Sequence, residues 1–425
     1  MIPTVKIKIK EFGPIRDAEV MLAPLMIFTG NSNLGKSYVN YLMYYFISSF
    51  TEGQISGLYD KRLDIATEGK QQFDITADDV KQWLDGHVED FMRSFLGDEN
   101  LICQVEFEFL FPVDTFHIEF EIVRQLPGHL LPSREYQIKL SINDKHISDI
   151  GTLYPRQTIP IYINGIMFKR ITEMLCVRAL ILPPARGAFV GENYSLKEKI
   201  VSNTGMYRQF LYDYDYATSV TNSGGEEKQA FFNEQLQALV GGDLTTEKDK
   251  QYLLLPSGQR LSLTAAASSI KELSPLLFYL KNNADVPTSI CMEEPEAHLH
   301  PDMQIAVADL LAACLNQNMP LQITTHSDYF LQRINQLIKI GYLRSKNESL
   351  YQKMLEERAI SDRSYIDSEK VKAYYFHLDA DNQVKIEDLE ITEKGIPMAT
   401  FFDTIRNLND RENYINDLLE EVKED

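Results

Sequence analysis

The chain has 425 residues, 44% of them hydrophobic and 24% charged, which suits one large or two to three ordinary globular domains. A net charge of −20 weighs against tight unaided binding to nucleic acid, and no run of about 18 apolar residues argues for a membrane span. Cys103, Cys176, Cys291 and Cys314 stand far apart with no CxxC pair, which speaks against a zinc knuckle or a disulfide framework.

The N-terminus alternates Val5, Ile7 and Ile9 with lysines. This pattern predicts a strand, not the apolar segment of a signal peptide, and a cytoplasmic protein is expected. Residues 1–30 read as two strands around "EFGPIRD" and a third, apolar strand, Leu25–Thr29. "GNSNLGKS" follows, and the run "YVNYLMYYFISSF" after it has helical spacing. From 50 to 100 the pattern is patchily helical, with Thr76 as a helix cap and Gly97 as a stop. Three period-two runs, "CQVEFEFLF", "FHIEFEIV" and "EYQIKLSI", predict an antiparallel sheet within 101–150.

A helix is expected over 160–177, then a strand in "VRALILPPARG". Residues 195–245 read as mostly polar helix closed by Gly241 and Gly242. Two short strands, "QYLLL" and "QRLSLT", are joined by the turn Pro256-Ser257-Gly258. Helix 270–282, strand 287–292, helix 301–317, strand 320–324 and helix 327–341 alternate as a parallel α/β sheet does. The tail predicts a hairpin around Asp379–Asn382 and a closing helix over 400–422. No heptads are sustained, so no long coiled coil is expected.

Gly30-Asn31-Ser32-Asn33-Leu34-Gly35-Lys36-Ser37 matches GxxxxGK[ST] between an apolar strand and a helix. Glycines let the loop wrap a β-phosphate with its N–H groups, Lys36 offers charge to the β/γ oxygens, and the Ser37 hydroxyl can ligate Mg²⁺. The helix N-terminus adds its dipole. Such a loop needs a second strand that ends in acids. "CMEEPEAHLHP" (291–301) admits two readings: a metal cluster using His298 and His300, or that acid-tipped strand. The phosphate loop favours the second. Glu293 then takes the Mg²⁺ side through water, and Glu294 is the base for the attacking water. His326, at the tip of the strand "LQITTHS", is placed to sense a γ-phosphate.

GNSNLGKS, ICMEEPEAHLHP and ITTHS together resemble ABC-class ATPase heads, in particular the OLD-like and structural-maintenance-of-chromosomes-like branch. "EEPEAHLHP" is characteristic of the OLD-like group, and "LPPARG" (182–187) resembles a segment common there. The resemblance covers 1–45 and about 250–345. It implies an α/β, ABC-type P-loop head with a mixed central sheet, an antiparallel β subdomain and a helical insertion. The core is expected in 1–47, 160–190 and 246–345, with 48–159 and 191–245 inserted and 346–425 as a C-terminal hairpin and helix.

The resemblance also implies ATP and Mg²⁺ as ligands and a signature segment that meets the nucleotide of a second copy. "LPSGQR" (255–260) looks like a transporter signature but lies between two strands. Ser268 and Ser269, at a helix start nearer Glu293, suit anion binding better. Ile270 stands where glycine is usual. Arg186 is a candidate phosphate ligand, in cis or on a partner head, against an exposed salt bridge. Lys6, Lys8 and Lys10 read as a solvated strand face. The implied function is a homodimeric or larger ATPase that switches a separate nuclease or toxin in prokaryotic defence, without a membrane. Alternatives are a self-contained ATP-regulated nuclease, which needs a metal-carboxylate site in 345–425, and an SMC-like DNA-repair ATPase. Asp379 and Asp381 are explained by a hairpin turn.

Overall fold

A computed structural model describes residues 4–63, 69–124, 136–191, 204–219, 226–247, 250–358, 364–398, 406, 408–416 and 419. A nine-stranded sheet organises the described chain, in the order β5-β1-β2-β16-β15-β3-β14-β13-β9. Its parallel part consists of β9 (Arg178–Leu182), β13 (Thr288–Glu293), β14 (Leu321–Thr324), β3 (Leu25–Gly30) and β15 (Val371–Leu378). Two of them are buried on both faces: every residue of β13 and of β14 is buried. The rest of the sheet is β16 (Val384–Leu389), β2 (Ile15–Met21), β1 (Val5–Phe12) and β5 (Cys103–Phe109). Here β1 alternates from Val5 to Lys10, where its register against β5 shifts. Val5, Ile7 and Ile9 face inward, while Lys6 pairs with Glu19 and Lys8 with Glu108 on the outer face.

Helix α1 (Lys36–Thr51) leaves the phosphate loop and lies across β14, β13 and β9. It is buried on nearly every side, from Val39 to Phe50, so its apolar run has no polar face. Helix α2 (Ala77–Leu96) starts at a capping box. The Thr76 hydroxyl accepts from the Asp79 N–H at 3.0 Å, and the Asp79 carboxylate accepts from the Thr76 N–H at 2.8 Å. It ends at Gly97, whose φ of 72° suits the C-cap. Both ends match the sequence reading.

The period-two runs of 101–150 are divided between two sheets. β5 pairs with β1, Ile7 opposite Phe107, and so belongs to the large sheet rather than to the inserted one. β6 (Phe116–Arg124), β7 (Tyr136–Ile142) and β8 (Lys145–Thr152) join β4 (Gly69–Ile75) in a separate antiparallel sheet, in the order β4-β6-β7-β8. β4 escaped the sequence reading because only Phe73 and Ile75 mark its apolar face. β8 follows a two-residue turn in which Asn143 and Asp144 both have positive φ, 52° and 59°, as a tight hairpin requires.

Helix α3 (Pro155–Thr172) precedes β9, and α4 (Gly205–Ser219) and α5 (Glu226–Val240) follow it. β10 (Asp243–Glu247), β11 (Lys250–Leu254) and β12 (Arg260–Ser262) form a small sheet of their own. "LPSGQR" is the turn between the last two, closed by the Leu255 N–H donating to the Gln259 carbonyl at 2.9 Å. Beyond it come α6 (Ser268–Asn283), α7 (Pro301–Asn316), α8 (Asp328–Lys346) and α9 (Glu348–Arg358). The predicted tail hairpin is β15–β16, and it too is part of the large sheet. Asp379 shapes its turn, accepting from the N–H groups of Asp381 and Gln383 at 2.9 Å each. Of the closing helix expected over 400–422, residues 406, 408–416 and 419 are described and helical; the others lie outside the described residues, as do 192–203 and 220–225 of the polar 195–245 segment.

Among the described residues, no helix is long and apolar enough to cross a membrane. The capping box can be tested locally. Thr76→Ala should weaken the first turn of α2 by about 1 kcal/mol, seen as faster hydrogen exchange at the Asp79 and Val80 amides. Unchanged exchange there would show that the box does not hold that turn.

Candidate nucleotide-binding site

The loop 30–37 leaves the C-terminal end of β3, where open parallel sheets bind ligands. Its shape depends on glycine. Gly30 has φ 118°, and a Cβ there would lie 2.2 Å from the Phe376 carbonyl oxygen of β15. The Asn31 N–H donates to that same carbonyl at 3.0 Å, so β15 supports the loop from beside it. Gly35 caps α1 with φ 93°, and Asn33 takes the left-handed conformation at 63°. Ser32 and Asn33 are exposed, Leu34 is buried, and the N–H groups opening α1 meet the loop at Lys36 and Ser37.

Lys36 turns back over this loop. Its Nζ donates to the carbonyls of Asn31 (2.6 Å) and Gly30 (3.1 Å). Burial lowers its pKa to about 8, against the opposing pull of Glu293, Glu294 and Glu296. Its ammonium is thus held against two carbonyls at the start of the loop.

β13 brings Glu293 to the same place. Glu293 is 2% exposed, and its carboxylate takes three hydrogen bonds: Ser37 Oγ at 2.6 Å, Asn40 Nδ2 at 2.7 Å and Thr324 Oγ1 at 2.9 Å. Burial raises its pKa, and the three donors oppose the rise. The contact of Ser37 with Glu293 is direct. A hydroxyl and a carboxylate touching at the foot of an anion cradle form an all-oxygen donor set, which fits Mg²⁺.

Glu294 is half-buried and has φ 44°, a conformation that costs a non-glycine residue energy. Its neighbours impose it. The Glu294 N–H donates to the Thr324 carbonyl at 3.1 Å, and its own carbonyl accepts from Ala297 N–H at 3.1 Å. β14 lies between β3 and β13, so Thr324 and His326 stand between the phosphate loop and the acids. His326 is exposed and half-surrounded. Burial and the nearby Lys36 ammonium lower its pKa, leaving a neutral imidazole at pH 7. Glu296 fixes that turn, its Oε1 accepting from the Thr325 hydroxyl at 2.8 Å and the His326 N–H at 2.7 Å.

Five further residues singled out in the sequence take other positions. Ser268 and Ser269 open α6, with Ala267 as N-cap and, among the described residues, no side-chain cap on the N–H groups of its first turn. His298 and His300 are exposed. His300 caps α7 through the Asp302 N–H, and no group of three or more metal-ligating side chains converges among the described residues. Arg186 differs most from expectation. It is neither a surface ion pair nor a group reaching for phosphate: it is 0% exposed, and its guanidinium is engaged by backbone carbonyls. Asn40, Thr324 and Glu296 were missed in the sequence. Asn40 lies one helical turn past Lys36, which was the available signal; the other two depend on strand order.

Residues 195–331 match the family described as AAA ATPase domain. The match supports an ATPase domain in that part of the chain. It spans α6, β13 and His326, while the phosphate loop lies before it. No curated protein matches. Among solved structures, an Smc head bound to the C-winged helix domain of ScpA shares 12% identity over 92% of this chain and 99% of that one, with a TM-score of 0.37. The SMC head domain from Thermotoga maritima shares 11% over 92% and 100%, at 0.33. A Pyrococcus furiosus Smc head with an extended coiled coil, bound to the C-terminal domain of ScpA, shares 12% over 95% and 100%, at 0.39.

Lys36 should make nucleotide affinity depend on pH if the loop holds phosphate. With a free-state pKa of about 8 that phosphate oxygens must raise, binding takes up a proton above that pH. Affinity should be flat below pH 7 and weaken by up to about tenfold per unit above pH 8. Titration of a fluorescent ATP analogue from pH 6.5 to 9.5 checks this. A flat profile in the unsubstituted protein would contradict it.

Proposed function

We propose that the chain binds ATP with Mg²⁺ and hydrolyses it in a sandwich of two copies. The observation that carries this reading is the 2.6 Å contact between Ser37 and Glu293, which joins the phosphate loop to the acid-tipped strand. In this reading the amides of 30–37 and Lys36 hold the β- and γ-phosphates. Ser37 ligates the ion, and Glu293 orients it from behind. Glu294 takes the proton of the water attacking the γ-phosphorus as the bond to the β-bridging oxygen breaks. ADP and inorganic phosphate leave. His326 donates to a γ-oxygen and registers its presence. Ser268 and Ser269, with the first N–H groups of α6, close over the γ-phosphate of the second copy, so occupancy sets the balance between joined and separate copies.

The wider role is also a proposal. The resemblance of "EEPEAHLHP" to OLD-like heads supports an ATPase that controls a separate nuclease or toxin in prokaryotic defence. A self-contained nuclease is less favoured, because Asp379 is spent on its own turn.

Glu294→Gln should lower ATP turnover at least about a hundredfold while ATP-driven association persists, and Lys36→Ala should abolish nucleotide binding. Turnover by Glu294→Gln at the unsubstituted rate would remove the base assignment. Mixed Ser268→Arg and Lys36→Ala chains should regain part of the activity that each lacks alone. No recovery would mean that α6 does not act across copies.

A further inference from the structure

Arg186 sits in a short 3₁₀ turn after β9, entered through Ala185 at φ 54°. Its Nε donates to the Glu272 carbonyl at 2.8 Å and lies 3.7 Å from Glu272 Oε2. Nη1 donates to the Glu293 carbonyl at 2.7 Å and to that of Pro183 at 3.2 Å, and Nη2 reaches the Glu294 carbonyl at 3.5 Å. One planar fork therefore touches two functional segments: the first turns of α6, four residues past Ser268, and the end of β13 where both acids stand. The surroundings are shaped for this. Gly187 admits the Glu272 side chain, since a Cβ there would lie 2.8 Å from Glu272 Oε1, and Tyr207 holds the Pro184 carbonyl at 3.1 Å.

We propose that Arg186 is a positioning residue that makes the opening of α6 and the Glu293–Glu294 strand end one mechanical unit, so that phosphate engagement by Ser268 and Ser269 on a second copy sets the position of Glu294. This rests on the sandwich reading above. The strained backbone of Glu294 is the receiving element. Its N–H is held by Thr324, and its carbonyl is shared by Ala297 and Arg186, so loss of the fork frees one side of a peptide kept in a costly conformation. Glu272 is the sending element, because it moves with α6 and carries both a carbonyl and a carboxylate contact to the same guanidinium. A direct phosphate contact does not fit, because the side chain is wholly buried and its donors face carbonyls.

Full-length Arg186→Gln, Arg186→Lys and Glu272→Gln test this by steady-state ATP turnover alongside fluorescent-nucleotide affinity. Arg186→Gln should lose about tenfold to a hundredfold in kcat, the scale of a misplaced catalytic group, with nucleotide Kd within about twofold of the unsubstituted chain. Arg186→Lys should fall between, keeping the charge without the fork. Glu272→Gln, which keeps the carbonyl contact and the side-chain shape, should lose about threefold to tenfold in kcat at unchanged Kd. Kd weakening in step with kcat would overturn the proposal in favour of phosphate binding, and full turnover in Glu272→Gln would overturn it even if Arg186→Gln does not fold. Lys36→Ala serves as the control: its retaining full ATP turnover would sink the sandwich reading itself, whereas a dead Lys36→Ala beside fully active Arg186 variants would sink only the tie.

Discussion

Everything at the site depends on one buried carboxylate. Burying an ion is costly unless its lone pairs are met, and Glu293 has Ser37, Asn40 and Thr324 around it. Those donors come from the start of α1, one turn further along α1, and the end of β14. The Glu293 side chain thus cross-links the phosphate loop, the central helix and two strands of the sheet. The raised pKa shows that desolvation is only partly offset, and a divalent ion arriving beside Ser37 would favour the charged form.

The same economy of position explains Lys36 and His326. Both are held in forms that suit an incoming phosphate. Lys36 remains mostly charged at pH 7 but is drawn down by burial, and His326 is neutral partly because Lys36 is near. In the proposed reading phosphate oxygens would favour the Lys36 ammonium that burial draws down, and the neutral imidazole of His326 would offer them an N–H.

Local signals in the sequence were reliable where chemistry and geometry are set within a few residues. The phosphate loop, the Thr76 box, the Gly97 stop and the Pro256–Gly258 turn all rest on short-range rules, and each appears where the pattern places it. Strand partners are a different matter. "CQVEFEFLF" alternates as well as its neighbours do, and nothing within it says that it pairs with β1 rather than with β6. The tail hairpin was legible, but its docking alongside β3, where Phe376 braces Asn31, was not, because that contact joins residues far apart in the chain. Thr324 and Glu296 were hidden for the same reason.

Arg186 shows where residue type misleads. An arginine between a proline-rich strand end and a glycine suggests an exposed, phosphate-seeking group, since arginine is seldom buried alone. Here the chain turns at Ala185 and drives the guanidinium inward, onto carbonyls left over where β13 ends and an irregular loop begins. Backbone carbonyls leaving a sheet need donors, and water is excluded at that depth. A planar fork can satisfy several at once, where an ammonium would serve as a point charge. The demand arises from the kink at Glu294, whose positive φ turns its carbonyl away from the ladder. The arginine and the strained acid are therefore two consequences of one requirement: the strand must end abruptly, at the kink beside Glu293.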